Sequence, residues 1–157
     1  MTVHELSGTP DLRSMYARAV LGSFPGGGGE ELPDVELVLP EVEIDRGHLA
    51  AYGRVCGFRL SNELPPTYLH VFAFPVALRL MTDRGFPLPL LGLVHVSNRI
   101  AQERPVRASE RPSLRVRAEG LRRRERGTEV DLVAEAEVDG ERVWSSKSTY
   151  LLSLIHI

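Results

Sequence analysis

Residues 68–81 read Tyr68-Leu-His-Val-Phe-Ala-Phe-Pro-Val-Ala-Leu-Arg-Leu-Met81, and only His70 and Arg79 interrupt the apolar run. A helix that is apolar on every face has no side to give to water, so it must be buried. Pro75 fits best in a first helical turn, where its missing N–H is not needed. The regular helix is therefore expected over about 74–83. Leu64-Pro65-Pro66 forces an extended approach to it, and Asp83-Arg84-Gly85 ends it.

Downstream of this helix the apolar period changes to two. Leu90 to Arg99 reads as a strand, as does Arg111 to Leu121, with Leu114, Val116 and Ala118 facing in. Glu129 to Val138 alternates most clearly, setting Val130, Leu132, Ala134, Ala136 and Val138 against Glu129, Asp131, Glu135 and Glu137. Asp139-Gly140 is a two-residue hairpin signal, and Arg142 to Leu151 returns as the last strand. Upstream, Asp11 to Gly22 suggests a short helix, the Pro25-to-Gly29 run a loop, and Val35 to Ile44 a strand. Asp45 to Cys56 reads as a helix capped by Asp45, with Leu49, Tyr52 and Val55 on one face and Gly57 past its end. A wholly apolar helix followed by four antiparallel strands is best buried by wrapping the sheet around it. The expected class is α+β, a single hot-dog fold. Residues 1–34 form an N-terminal helix and glycine-rich loop, and 35–151 the hot-dog domain.

The 157 residues make one ordinary domain, with 43% hydrophobic and 25% charged residues. A net charge of −2 argues against a nucleic-acid partner. The single cysteine, Cys56, excludes an internal disulfide and a cysteine-based zinc site. No apolar run is long enough to span a membrane, and Met1-Thr-Val-His-Glu5 is no secretion signal, so a cytoplasmic location is expected. Of 19 basic residues 18 are Arg, as in proteins from GC-rich genomes. Yet two of only four Ile lie in the last three positions. Residues 152–157, Leu-Ser-Leu-Ile-His-Ile, read as a non-native tail of sequencing-adapter origin. The natural protein is expected to continue past Leu151, which makes this chain a fragment.

The glycine run is followed by Glu30 and Glu31 instead of a Gly-Lys-Ser/Thr ending, so it is read as a loop and not a phosphate cradle. The basic Arg122-Arg123-Arg124-Glu125-Arg126 cluster lacks aromatic neighbours and reads as a solvated turn. His70 and His95 titrate near neutrality, but neither has a carboxylate at a telling spacing. His70 is read as a partly buried residue at the helix start with a backbone hydrogen bond. His95 is read as a satisfied sheet histidine, and Cys56 as a small packed hydrophobe. No catalytic residue is assigned. No cluster has metal-ligand spacing, so no metal and no cofactor are expected. Phe72, Phe74, Val76 and Leu80 read first as core, and second as the lining of an apolar tunnel for a ligand tail.

The segments Leu49-Ala-Ala-Tyr-Gly-Arg-Val-Cys-Gly-Phe58, Leu64-Pro-Pro-Thr-Tyr68, His70-Val-Phe-Ala-Phe-Pro75, Leu91-Gly-Leu-Val-His-Val-Ser-Asn-Arg99 and Ser148-Thr-Tyr-Leu151 resemble the N-terminal half of bacterial MaoC-like acyl dehydratases. That resemblance covers about two thirds of the chain. It implies a protein with two hot-dog units that interconverts trans-2-enoyl and (R)-3-hydroxyacyl thioesters, usually of coenzyme A. The family's motif is Tyr-Ala-x-x-Ser-Gly-Asp-x-Asn-Pro-x-His, in which Asp and His handle water and protons. Here Tyr52 and Gly57 match. Cys56 replaces the Ser, Phe58 the Asp, Leu60 the Asn, Ser61 the Pro and Glu63 the His. A phenyl ring moves no protons, so this half is expected to be non-catalytic. Its partners would be an acyl-CoA or acyl-carrier thioester and a second hot-dog unit, with Phe72, Phe74, Val76 and Leu80 beside the acyl tail. One alternative is a separate acyl-thioester-binding subunit of a heteromeric dehydratase. A hot-dog thioesterase ranks lower, because residues 68–81 carry no carboxylate to activate water.

Overall fold

The computed structural model describes residues 1–20 and 30–153. The glycine run at 26–29 and residues 154–157 of the expected tail lie outside the described residues. The elements are β1 (Thr2–Glu5), α1 (Leu12–Val20), β2 (Val35–Leu39), α2 (Arg46–Cys56), α3 (Tyr68–Met81), β3 (Leu93–Gln102), β4 (Ser113–Arg124), β5 (Gly127–Val138) and β6 (Glu141–Ser153).

Six strands form one sheet in the order β1-β2-β4-β5-β6-β3. All neighbours are antiparallel except β1 and β2. The long crossing from β3 to β4 carries the chain from one end of the sheet towards the other, and α3 lies across the inner face. This is a hot-dog fold. The inner positions of β4 and β5 are as the alternation requires: Leu114, Val116, Val130, Leu132 and Ala136 are buried against α3. Ala134 and Ala136 keep that face low, so the helix packs close. The β5–β6 hairpin turns at Asp139-Gly140, both with positive φ (52° and 79°), as the two-residue turn demands.

Helix α3 begins earlier than expected. It runs from Tyr68, with Pro75 inside it. An internal proline forfeits a backbone hydrogen bond and costs about 3 kcal/mol. The two extra turns bury Tyr68, Leu69 and Ala73 almost completely. Each large side chain so buried contributes about 2 kcal/mol, which offsets the proline. Burial decides the helix start here, not local backbone preference.

Other boundaries also move. β1 was not anticipated; its parallel pairing with β2 brings the N-terminus into the same sheet. β6 runs on to Ser153, with Leu152 paired to Thr128 and Leu93. In α2 the buried residues are Leu49 and Gly53, whereas Val55 is 87% exposed, not on the inward face as expected.

Candidate functional site

Helix α2 is held at both ends. The Asp45 carboxylate accepts from the His48 backbone N–H at 2.7 Å, and Gly57 at φ 76° closes the last turn through its N–H to the Gly53 carbonyl. A left-handed residue here favours glycine. The chain then leaves towards α3 through residues 58–66. Phe58, at the position of the family's Asp, lies parallel to Tyr52 with centroids 6.3 Å apart. Leu60, where the family has Asn, is 85% exposed. A groove of about 330 Å³ follows this stretch, lined among others by Gly53, Arg54, Phe58, Leu60, Ser61 and Pro65. Its acidic lining residue is Glu63, which holds no imidazole opposite it. The loop offers surface and no acid/base pair.

Two hydroxyl contacts clamp α2 to the start of α3. The Tyr52 hydroxyl meets Thr67 Oγ1 at 2.6 Å, and Tyr68 Oη meets His48 Nδ1 at 2.7 Å. Thr67 stands at the N-cap of α3 but gives its side chain to Tyr52, not to the helix. Burial raises the Tyr68 hydroxyl pKa, with the Asp45 charge adding to it. Burial also raises that of Tyr52, against the opposing bond to Thr67. Both phenols stay protonated near neutrality and act as clamps. Cys56 is exposed, not the packed hydrophobe expected.

The four expected tail-lining residues are not gathered in one place. Phe72 is half-buried and meets Tyr68 edge-on at 5.5 Å, on the α2 side. Val76 lies in the core with no exposure. Leu80 is buried beside a pocket of about 300 Å³ that also touches Leu6, Val35 and Leu37. Phe74 alone of the four lines a small cavity between α3 and the inner sheet face, with His70, Ser146, Ser148 and Tyr150.

That cavity brings His70 together with Ser146, Ser148 and Tyr150, to which the sequence reading gave no role in a site. His70 and His95 stack with centroids 6.3 Å apart, and His95 stacks on Tyr150 at 4.7 Å. The backbone hydrogen bond expected of His70 does not involve Nδ1: that atom is buried without a partner. Burial lowers its pKa, and the neighbouring His95 lowers it further. Burial pushes the Tyr150 hydroxyl up to about 12. His95 itself is exposed, on an edge strand. A signal was present in the sequence: Trp144, Ser146, Ser148 and Tyr150 share one face of β6, and two serines opposite a wholly apolar helix are unusual lining for a core.

The outer sheet face is a ladder of ion pairs. Arg122 binds Asp131 and Glu129 at 2.8 Å each, Arg117 binds Glu135 at 2.9 Å, and Arg115 binds Glu36 at 2.8 Å. The basic run at 122–126 thus contributes Arg122 and Arg124 to internal pairing. Among the described residues, no three His, Cys, Asp or Glu side chains are grouped to hold a metal ion. No described helix is long and apolar enough to cross a membrane.

The 3-hydroxyacyl-thioester dehydratase X of Mycobacterium tuberculosis is 37% identical over 122 residues, which cover 78% of this chain and 44% of that protein. The crystal structure of HtdX from the same organism superposes with a TM-score of 0.70 at 36% identity, over 75% of this chain and 51% of that one. The chain belongs to the MaoC-like dehydratase family. The truncated HadBC (3R-hydroxyacyl-ACP dehydratase) complex of M. tuberculosis matches with a TM-score of 0.62 at 18% identity, over 74% of this chain and 95% of that one. At that identity the likeness is one of fold. No family model matches the chain. The chain spans about half the length of the dehydratase X of M. tuberculosis and of the HtdX structure.

Proposed function

We propose that this chain is the non-catalytic hot-dog half of a MaoC-like enoyl-thioester hydratase or 3-hydroxyacyl-thioester dehydratase, and that it supports a catalytic unit and houses the acyl tail of the thioester. The observation that carries the reading is Phe58. Hydration of an enoyl thioester needs one group to activate water and another to protonate the α-carbon. In the family's motif those are Asp and His. Here the first position holds a phenyl ring packed on Tyr52, and the second holds Glu63. Neither His70 nor His95 substitutes for them, because the described groups beside them are Tyr150, Phe74, each other and the serines of β6, with no carboxylate among them to orient an imidazole.

The partner is a second hot-dog unit. Strand β3 ends the sheet, paired on one side only with β6, and it exposes Val94 and Val96. An open strand of this length readily adds another strand. That the HadBC relative of this fold is a complex supports a second unit, either on the same polypeptide or on a separate subunit.

The direct test is turnover of crotonyl-CoA by the purified chain, followed by loss of the enoyl absorbance. No hydration is expected from the chain alone, whereas the chain co-expressed with a hot-dog unit bearing the Asp/His motif is expected to hydrate it. Turnover by the chain alone overturns the non-catalytic reading. Co-purification of a separate catalytic hot-dog protein from the source cell selects the heteromeric form.

A further inference from the structure

Where the first two turns of α3 face β6, the cavity lined by His70, Phe74, Leu132, Ser146, Ser148 and Tyr150 has a volume of about 10 Å³. That is room for one water-sized group. Two of its lining residues each carry a buried polar atom with no hydrogen-bond partner in the protein: Nδ1 of His70, from the helix, and Oγ of Ser148, from the sheet. Ser148 is 3% exposed, so bulk water does not reach it. Buried polar groups in native proteins are almost always paired, and two unpaired ones on the same small cavity require one explanation between them.

The chemistry of the wall selects the occupant. A methylene would leave both atoms unpaired. A carboxylate or ammonium would bring a charge among Phe74, Val116, Leu132 and Ala134, beside an imidazole whose charging burial disfavours. A carbonyl oxygen accepts only, so it pairs with both atoms only when the ring carries its proton on Nδ1, whereas an O–H pairs with both in either ring tautomer. It donates to the unprotonated ring nitrogen and accepts from the serine hydroxyl. We propose that His70 and Ser148 together form a site for one hydroxyl oxygen, donating to His70 Nδ1 and accepting from Ser148 Oγ.

Two sources supply that chemistry. One is a water bound between α3 and β6. The other is a hydroxyl projecting from the acyl tail of a thioester: the cavity has room for the oxygen alone, so the tail itself would run outside it, and this source alone rests on the tail-housing function proposed above. In that case the site makes the protein selective for hydroxylated acyl chains. His95 and Tyr150 close the side of the site towards β3, and their stacked rings fix the plane of His70.

X-ray crystallography of the chain, with the variants S148A and S148V, tests the site. In the unliganded protein, density for one oxygen within hydrogen-bond reach of both atoms is expected. S148V, which fills the space, is expected to lose it. A dry cavity in the unaltered protein overturns the proposal, as does an oxygen equally ordered in S148V. Isothermal titration with two acyl-CoA probes of equal length, one hydroxylated in mid-chain and one not, separates the sources. About tenfold tighter binding of the hydroxylated probe, abolished in S148V, assigns the site to the ligand. Equal binding of both probes, with the oxygen seen in the crystals, assigns it to water and leaves the tail-housing function standing. Binding of neither probe, with the oxygen seen, removes that function and leaves the hydroxyl site standing.

Discussion

The indole Nε1–H of Trp144 donates to the carbonyl oxygen of Pro66 across 2.7 Å, joining the last strand to the proline pair that leads into α3. Trp144 is the largest fully buried side chain, and it sits opposite Ala136 on β5 and Gln102 on β3. The indole fixes where the helix begins relative to the sheet. W144F keeps an aromatic ring but removes the donor, strands the carbonyl and leaves a void. The lost bond and the void together are expected to cost about 2–3 kcal/mol. For a chain of this length that lowers the melting temperature by about 5–10 °C, measurable by calorimetry.

His70 makes stability depend on pH in a definite direction. Burial, reinforced by His95, lowers its pKa in the folded chain below the ordinary 6.5. Above about pH 6.5 the ring is neutral in both states and costs nothing. As the pH falls below that value, the unfolded chain takes up a proton that the folded chain refuses. Stability is therefore lost from about pH 6.5 downward, until the folded ring is protonated as well. H70N retains a polar atom near Nδ1 but does not titrate. Urea unfolding at about pH 7.5 and 5.5 is expected to show a larger fall for the unaltered chain than for H70N. Parallel falls in the two proteins would remove His70 as the source.

The buried helix, the four downstream strands and the Asp139-Gly140 hairpin were legible in the sequence, because each follows from a local periodicity or a turn residue with one preferred geometry. What stayed hidden depends on partners distant along the chain. The early start of α3 is set by the burial of Tyr68 and Leu69 and by the Trp144 bond to Pro66, 78 residues away. β1 is four residues long and exposed throughout, so no apolar pattern marks it. At the candidate site, Phe58 in place of a carboxylate was readable position by position. The meeting of His70 with Ser148 was not, since it needs the register of β6 against β5 and the tilt of α3 together.

Asp131 was expected on the solvent side of β5, and it does lie on the outer face, yet its side chain is only 5% exposed. Arg122 grips it at 2.8 and 3.1 Å, Thr149 donates to it at 2.7 Å, and Lys147 stands at 3.3 Å. Burial works against its charge, but these donors outweigh burial and hold the carboxyl pKa below its ordinary value. The stabilisation is therefore complete above about pH 4 and is lost as the pH falls through the lowered value. D131N keeps the shape and removes the charge. With Arg122 and Lys147 partly solvated, a loss of about 1–2 kcal/mol at neutral pH is expected. The gap between D131N and the unaltered chain should narrow in acid, as followed by urea unfolding at about pH 7 and pH 3.

The exposed edge of β3 predicts how the isolated chain behaves. Its ten residues pair with β6 on one side, and Val94 and Val96 stand 54% and 47% exposed on the strand. The register shift between His95 and Ser97 kinks the strand there but leaves Asn98 to Gln102 in regular pairing with β6, flat enough to accept a second strand. Apolar side chains beside unpaired backbone donors and acceptors favour association, and charged ones on the same edge oppose it. Sedimentation velocity at micromolar concentrations is expected to show a dimer for the unaltered chain. The double variant V94K/V96K places two like charges across any symmetric pairing of the strand, and it is expected to be monomeric with its melting temperature little changed, since neither valine belongs to the core. A monomeric unaltered chain, or a V94K/V96K dimer of undiminished strength, would show that β3 is not the pairing edge.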